Sequence, residues 1–358
     1  MFKTITAAAT AATLAMVLGG CAANEAPTTE QPAGLSGTLN GAGASSAGSA
    51  QEAWIAAFQT ANSGVTVNYD PVGSGAGRES FFAGAVAFAG TDSSLSDEEL
   101  AMTSPLCVAE AGYFEVPVYV SPIAVFFNVE GVDSLNLSPA VIAGIFKGEI
   151  TNWNDAAIAA LNPGVKLPAT AITPQYRSDK SGTNGNFTGY LAANKVAGWV
   201  ADQTWTNATK STTPAGTGVA SSSGIVSNLK STAGSIGYVD LKDAKSGALK
   251  VAALKNVAGQ FVLPSAAAAS AFLANQPVAA NGLVSINWAK SVPGGYNASL
   301  ITYAVVNTGK ARAKGAAVKS FLQYVLKTCV PANAANLGYV ALSGGQATKA
   351  QALLNLIK

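Results

Sequence analysis

The stretch Tyr176-Arg177-Ser178-Asp179-Lys180-Ser181-Gly182-Thr183 places a fixed cation two residues before an acid and four before a Ser-Gly-Thr turn. Phe187, Tyr190 and Leu191 follow at helical spacing, so the turn opens a helix. Unpaired backbone N–H groups, side-chain hydroxyls and the helix dipole all favour negative charge there. An arginine adds a planar fork of donors. That chemistry holds a small oxyanion. An ordinary capped loop has the same composition and is the alternative reading.

Two more strand-to-helix junctions are built alike. Gly41-Ala42-Gly43-Ala44-Ser45-Ser46 follows Leu39, and Gly73-Ser74-Gly75-Ala76-Gly77 follows the strand pattern at 65–69. Glycines let backbone approach an anion closely, although each of these turns is also explained by tight turning alone. Neither ends in the Gly-Lys-Ser/Thr of a nucleotide-binding P-loop, and no other segment does, which argues against an NTPase. Asp92 follows the apolar run Val86-Ala87-Phe88-Ala89-Gly90, where a carboxylate is costly to bury without a partner. It reads either as a turn or helix-cap residue or as the acceptor for a proton carried by the ligand. Phosphate carries an O–H at neutral pH and sulfate carries none, so the second reading selects phosphate.

The elements that must position these residues alternate between short apolar strands and amphipathic helices. Helices are expected over 45–60, from the 73–77 turn through 82, from 96, and over 138–146, 155–161, 223–231, 311–326 and 346–357. Strands are expected over 65–69, 86–89, 171–174, 235–239 and 300–306, with a long β-branched and aromatic stretch over 114–129 broken by Pro117 and Pro122. The alternation implies mostly parallel α/β sheets, in which ligands sit outside the carboxyl ends of strands.

Lys3 and an apolar run to residue 20 form a segment shorter than a membrane-spanning helix needs, so it reads as a secretory signal over 1–20. Leu18-Gly19-Gly20-Cys21 resembles the lipobox of bacterial lipoproteins, which makes Cys21 the lipidated first residue; a plain signal peptide or an uncleaved anchor is the alternative. Residues 21–37 are rich in Ala, Pro, Thr and Glu and read as a disordered tether. The remainder exceeds the size at which one core usually divides, so two lobes are expected. Charged residues are only 11% of the chain and form no basic run, which argues against nucleic acid. The chain has no histidine, which excludes Ser-His and Cys-His catalysis and makes a zinc enzyme a poor fit. With Cys21 lipidated, Cys107 and Cys329 remain as a disulfide pair or as two buried thiols.

Taken in order, the three junctions, Tyr69-Asp70-Pro71-Val72, Phe88-Ala89-Gly90-Thr91-Asp92-Ser93-Ser94-Leu95-Ser96-Asp97-Glu98, Phe146-Lys147-Gly148-Glu149-Ile150-Thr151-Asn152-Trp153 and Gly234-Ser235-Ile236-Gly237-Tyr238-Val239 closely resemble the phosphate-binding component of the bacterial high-affinity phosphate ABC importer. The resemblance covers about residues 38–358. It implies a two-lobed, periplasmic-binding-protein-like α/β fold with two crossover strands and a hinged cleft. One lobe would be 38–119 plus 299–358 and the other 120–298. Ser45, Ser46, Ser74, Asp92, Arg177, Ser181, Gly182 and Thr183 correspond to phosphate-contacting positions, with Asp179 orienting Arg177. The first junction departs from the commoner Thr-Phe of the family, so Ser46 loses an aromatic wall. The resemblance further implies a monomer without catalytic residues, metal or cofactor, held at the outer face of the cell membrane by lipid and partnered by permease subunits. A site for sulfate or molybdate, a phosphate-ester hydrolase acting through Ser74 or Asp92, and an adhesive surface lipoprotein are the competing readings.

Overall fold

The computed structural model describes residues 35–101, 112–274, 276–279, 283–308 and 314–357. The signal segment, Cys21, most of the expected tether and Cys107 lie outside the described residues.

Eight strands form a continuous path through the main sheet. They are β1 (Gly37–Gly43), β2 (Val65–Asp70), β3 (Phe88–Thr91), β4 (Tyr113–Asn128), β5 (Thr173–Arg177), β6 (Thr217–Val219), β7 (Ser235–Asp240) and β8 (Ser299–Asn307). Their spatial order is β2-β1-β3-β8-β4-β7-β5-β6. Pairing is parallel on the flanks, among β2, β1 and β3 and among β7, β5 and β6. It is antiparallel wherever β8 or β4 takes part. The expected parallel pairing therefore holds in the flanks, where helices return the chain, and not at the centre, where two long strands run against their neighbours.

β4 is the spine. Residues 113–122 pair with β8 and residues 123–128 with β7. The stretch expected to break at its prolines is instead one sixteen-residue strand, buried along nearly its whole length. Pro122 sits where β4 exchanges one partner for the other. Pro117 lies beside a register shift opposite Thr302 and Tyr303. A bulge and a partner change are places where a missing N–H donor costs little.

Each end of β4 feeds a different core. Val116, Val118 and Tyr119 join Trp54 and Phe58 of α1 (Gly48–Ala61) and Phe88 of β3. A C-terminal helical run closes this core, made of α5 (Gly315–Tyr324), the π-turn Val325–Cys329, α6 (Val330–Leu337) and α7 (Gly344–Leu354). Ile123, Val125 and Phe127 join Phe146, Phe187, Trp205 and Tyr238 in the other core. There Phe187 stacks on Tyr238 with centroids 3.9 Å apart, and Tyr176 stacks on Trp205 at 4.9 Å. Each buried aromatic contributes about 1.5–3 kcal/mol of transfer free energy. Phe187 belongs to α3 (Gly182–Ala193), so the same packing that builds this core holds the start of α3 in place.

Candidate oxyanion-binding site

The ends of β1, β3 and β5 lead into one polar centre together with the starts of α2 (Ser74–Phe82), α3 and α4 (Ser222–Ser231). All three junctions of the sequence meet there.

Arg177 is the last residue of β5 and is 1% exposed. Asp179 grips it from one side: Nε donates to Oδ1 at 2.7 Å and Nη2 donates to Oδ2. Nη1 donates to Ser222 Oγ at 3.1 Å. Asp179 also accepts the Ser221 N–H, which ties it to the cap of α4. The carboxylate thus sets the plane of the guanidinium.

Asp92 lies just past β3 and is 2% exposed. Its Oδ2 accepts from Ser46 Oγ at 2.6 Å and from Thr183 Oγ1 at 3.2 Å. Its Oδ1 accepts from Thr302 Oγ1 at 2.8 Å. The backbone is held too, with Asp92 N–H donating to Ser74 Oγ at 3.2 Å and Asn186 Nδ2 donating to Asp92 O at 2.6 Å. Three hydroxyls from three elements therefore aim at one buried carboxylate. The Ser46 hydroxyl makes the shortest of these three contacts.

Ser181 caps α3, its Oγ accepting the Asn184 N–H. A Cβ on Gly182 would lie 2.6 Å from Ser74 Oγ and 2.8 Å from Asp92 Cβ, so only glycine lets the start of α3 reach the other two junctions. Gly43 has φ +148°, and a Cβ there would lie 2.0 Å from Gly90 O. Beside it Ser45 Oγ accepts the Ser222 N–H at 3.0 Å.

Ser222, Thr302, Asn186 and Arg78 belong to this centre and are absent from the sequence reading. Ser222 follows a Ser-rich capping pattern that could have marked a fourth helix start pointing at the same centre. Thr302 sits in the apolar run of β8 and carries no local signal. Arg78 is completely buried four residues after Ser74, and Glu99 neutralises it at 2.8 Å.

The surroundings at depth are buried and acidic. Asp240, at the end of β7, is fully buried. Burial first and then the charge of Asp92 push its carboxyl well above the usual range, against the pull of Lys242. Burial and then Asp92 likewise raise Tyr69, whose hydroxyl donates to Ala44 O at 3.1 Å. A cleft of about 670 Å³ runs past Asp92, Arg78, Asn186 and Gln203. Among the described residues no group of three or more His, Cys, Asp or Glu side chains could hold a metal ion. No helix among them is long and apolar enough to cross a membrane. Cys329 is buried; its expected partner Cys107 lies outside the described residues.

Residues 28–328 match the PBP superfamily domain. The chain is similar to the phosphate-binding protein PstS 3 of Mycobacterium leprae, 35% identical over 295 residues, covering 80% of this chain and 78% of that one. It is also similar to the phosphate-binding protein PstS 2 of Mycobacterium tuberculosis, 32% identical over 331 residues and covering 86% of each. A high affinity periplasmic phosphate-binding protein solved with phosphate shares the fold, with a TM-score of 0.73 at 24% identity over 88% of this chain and 93% of that one. The convergence of three anion-type junctions on one centre and these relationships together show that the chain belongs to the PBP superfamily and, within it, to the family of PstS phosphate-binding proteins.

Proposed function

We propose that this protein captures inorganic phosphate between its two lobes and delivers it to an ABC importer. The observation that carries the reading is Asp92. A site lined by N–H and O–H donors accepts any small oxyanion, but a buried acceptor-only carboxylate within it favours an anion that brings its own proton. Protonated phosphate satisfies it and sulfate does not.

In this reading Arg177 and the starts of α2 and α3 neutralise the anion. Ser45, Ser46, Ser74, Ser181, Gly182 and Thr183 donate to its oxygens, Asp92 accepts its proton, and Asp179 holds Arg177 in plane. The hydroxyls of Ser46 and Thr183 rotate from Asp92 toward the ligand, a change that costs no backbone movement. Residues 38–119 plus 299–358 form one lobe and 120–298 the other. β4 and β8 cross between them and act as the hinge. Lipid on Cys21 would anchor the chain outside the cell membrane, with residues 21–37 as a tether. Cys107 and Cys329 then share a lobe, so a bridge between them leaves the hinge free. The protein works as a monomer and performs no catalysis; its lack of histidine excludes Ser-His and Cys-His chemistry.

Native mass spectrometry of the purified protein and calorimetry with phosphate and sulfate test the proposal. Phosphate should bind with a dissociation constant at least a hundredfold below that of sulfate. Equal affinities would overturn it.

A further inference from the structure

We propose that Arg78 and Gln203 form a latch across the cleft, a positioning pair that holds the lobes closed over the anion without touching it. The inference rests on the phosphate reading for its binding arm, and its closure arm is independent of that reading.

Arg78 lies one helical turn beyond Ser74, on the same face of α2. Its guanidinium is spread over four partners. Nε meets Glu99 Oε1 at 2.8 Å, Nη1 meets Thr91 Oγ1 at 2.8 Å and Ser93 Oγ at 3.3 Å, and Nη2 meets Gln203 Oε1 at 2.8 Å. Thr91 and Ser93 are the two neighbours of Asp92 in the chain. Three of the partners belong to the half of the molecule that carries α2, and only Gln203 belongs to the other.

Gln203 is itself tied to the anion-binding helix. Its backbone oxygen accepts from Ser181 N–H at 3.1 Å and from Asn184 Nδ2 at 3.1 Å. A Cβ on Gly185 would come within 3.1 Å of Gln203 Cγ, so its side chain packs flat on the first turn of α3. One guanidinium therefore fixes both flanks of Asp92 and, through Gln203, the start of α3.

Two features separate this pair from the anion contacts. Glu99 neutralises Arg78 locally, so the pair adds little net charge to the site. Both members line the cleft beside Asp92 rather than the Arg177 side of the centre. Opening the lobes would exchange the partly buried, charge-assisted bond to Gln203 for bonds to water, a larger loss than that of a neutral surface hydrogen bond. The latch should therefore act on the rate of reopening and leave anion selectivity alone, since most affinity change within one interface appears in dissociation.

The test uses Gln203→Met, which keeps the volume and removes the acceptor, and Gln203→Glu, which restores one. Stopped-flow and calorimetry with inorganic phosphate should show affinity weakened about tenfold in Gln203→Met, carried by faster dissociation. The phosphate-to-sulfate ratio should stay within threefold of wild type. Gln203→Glu should bind phosphate within about threefold of wild type. Small-angle scattering without added anion should give a larger radius of gyration for Gln203→Met than for wild type and Gln203→Glu. Unchanged dissociation and radius in Gln203→Met would overturn the latch, as would a Gln203→Glu variant as weak as Gln203→Met. A wild-type protein that ignores phosphate would overturn the phosphate reading, and the scattering comparison would still decide the latch.

Discussion

Asp92→Asn separates the selectivity of the site from its affinity. The exchange keeps shape and removes a charge. In the structure Asp92 accepts hydroxyl protons from Ser46, Thr183 and Thr302 and donates none from its side chain. Asparagine can accept only at its oxygen; at the nitrogen a hydroxyl must turn and accept instead, which Ser and Thr can do. Phosphate loses one charge-assisted hydrogen bond and keeps a neutral one. That difference is about 1–1.5 kcal/mol, or roughly a tenfold weaker dissociation constant. Sulfate loses a like-charge contact, and such contacts cost several kcal/mol in a dry site. It also gains an N–H donor. The phosphate-to-sulfate affinity ratio should therefore fall by at least about a hundredfold, of which phosphate weakening supplies a factor of about ten and tighter sulfate binding the rest. Competition calorimetry of wild type and variant at one pH and one ionic strength measures both numbers. A ratio within threefold of wild type would show that the Asp92 carboxylate is structural, and the selectivity argument would fail with it.

Arg177→Ala should weaken phosphate by about 3 kcal/mol, about a hundredfold, because the anion loses its buried counter-charge and Asp179 is left unpaired; a loss below threefold by calorimetry would remove Arg177 from the site. Gly182→Ala pushes a methyl into Ser74 and Asp92, at 2.6 and 2.8 Å, and should weaken phosphate at least about tenfold while costing about 1–3 kcal/mol of stability; unchanged affinity would mean the start of α3 does not approach the anion. Glu115 should make stability depend on pH. Burial raises its carboxyl from an ordinary 4.5 to about 8, while the Leu95 N–H and Arg78 pull the other way. A raised carboxyl stabilises the fold fully below its unfolded value, and that contribution is lost as pH rises through about 8, by up to about 5 kcal/mol. Glu115→Gln should flatten the fall in unfolding free energy between pH 5 and pH 9, and equal slopes in chemical denaturation would contradict the assignment.

The site was largely legible in the chain because its chemistry is local. Arg177, Asp179, Ser181, Gly182 and Thr183 fall within seven consecutive positions at the end of a strand, and a strand running into a capped helix can be read from spacing alone. The Gly-rich turns at 41–46 and 73–77 are local in the same way. Helix starts and strand ends depend on neighbours a few residues away, so α1, α2, β2 and β7 fall close to where the pattern places them.

Other features needed the tertiary structure because they are contacts between distant segments. Thr302 reaches Asp92 across 210 positions and Ser222 meets Ser45 across 177, and nothing in an apolar strand or a Ser-rich turn announces such a partner. Pro117 and Pro122 look like strand breakers by themselves; only the bulge beside one and the change of partner at the other show why the spine runs through them. The role of Ser46 was hidden for the same reason. A serine can donate in any direction, and the fold alone turned its hydroxyl onto the Asp92 carboxylate at 2.6 Å. Sequence periodicity and turn chemistry thus determine which segments have the donors to hold an anion, while the packing of two cores on one long strand decides that those segments meet.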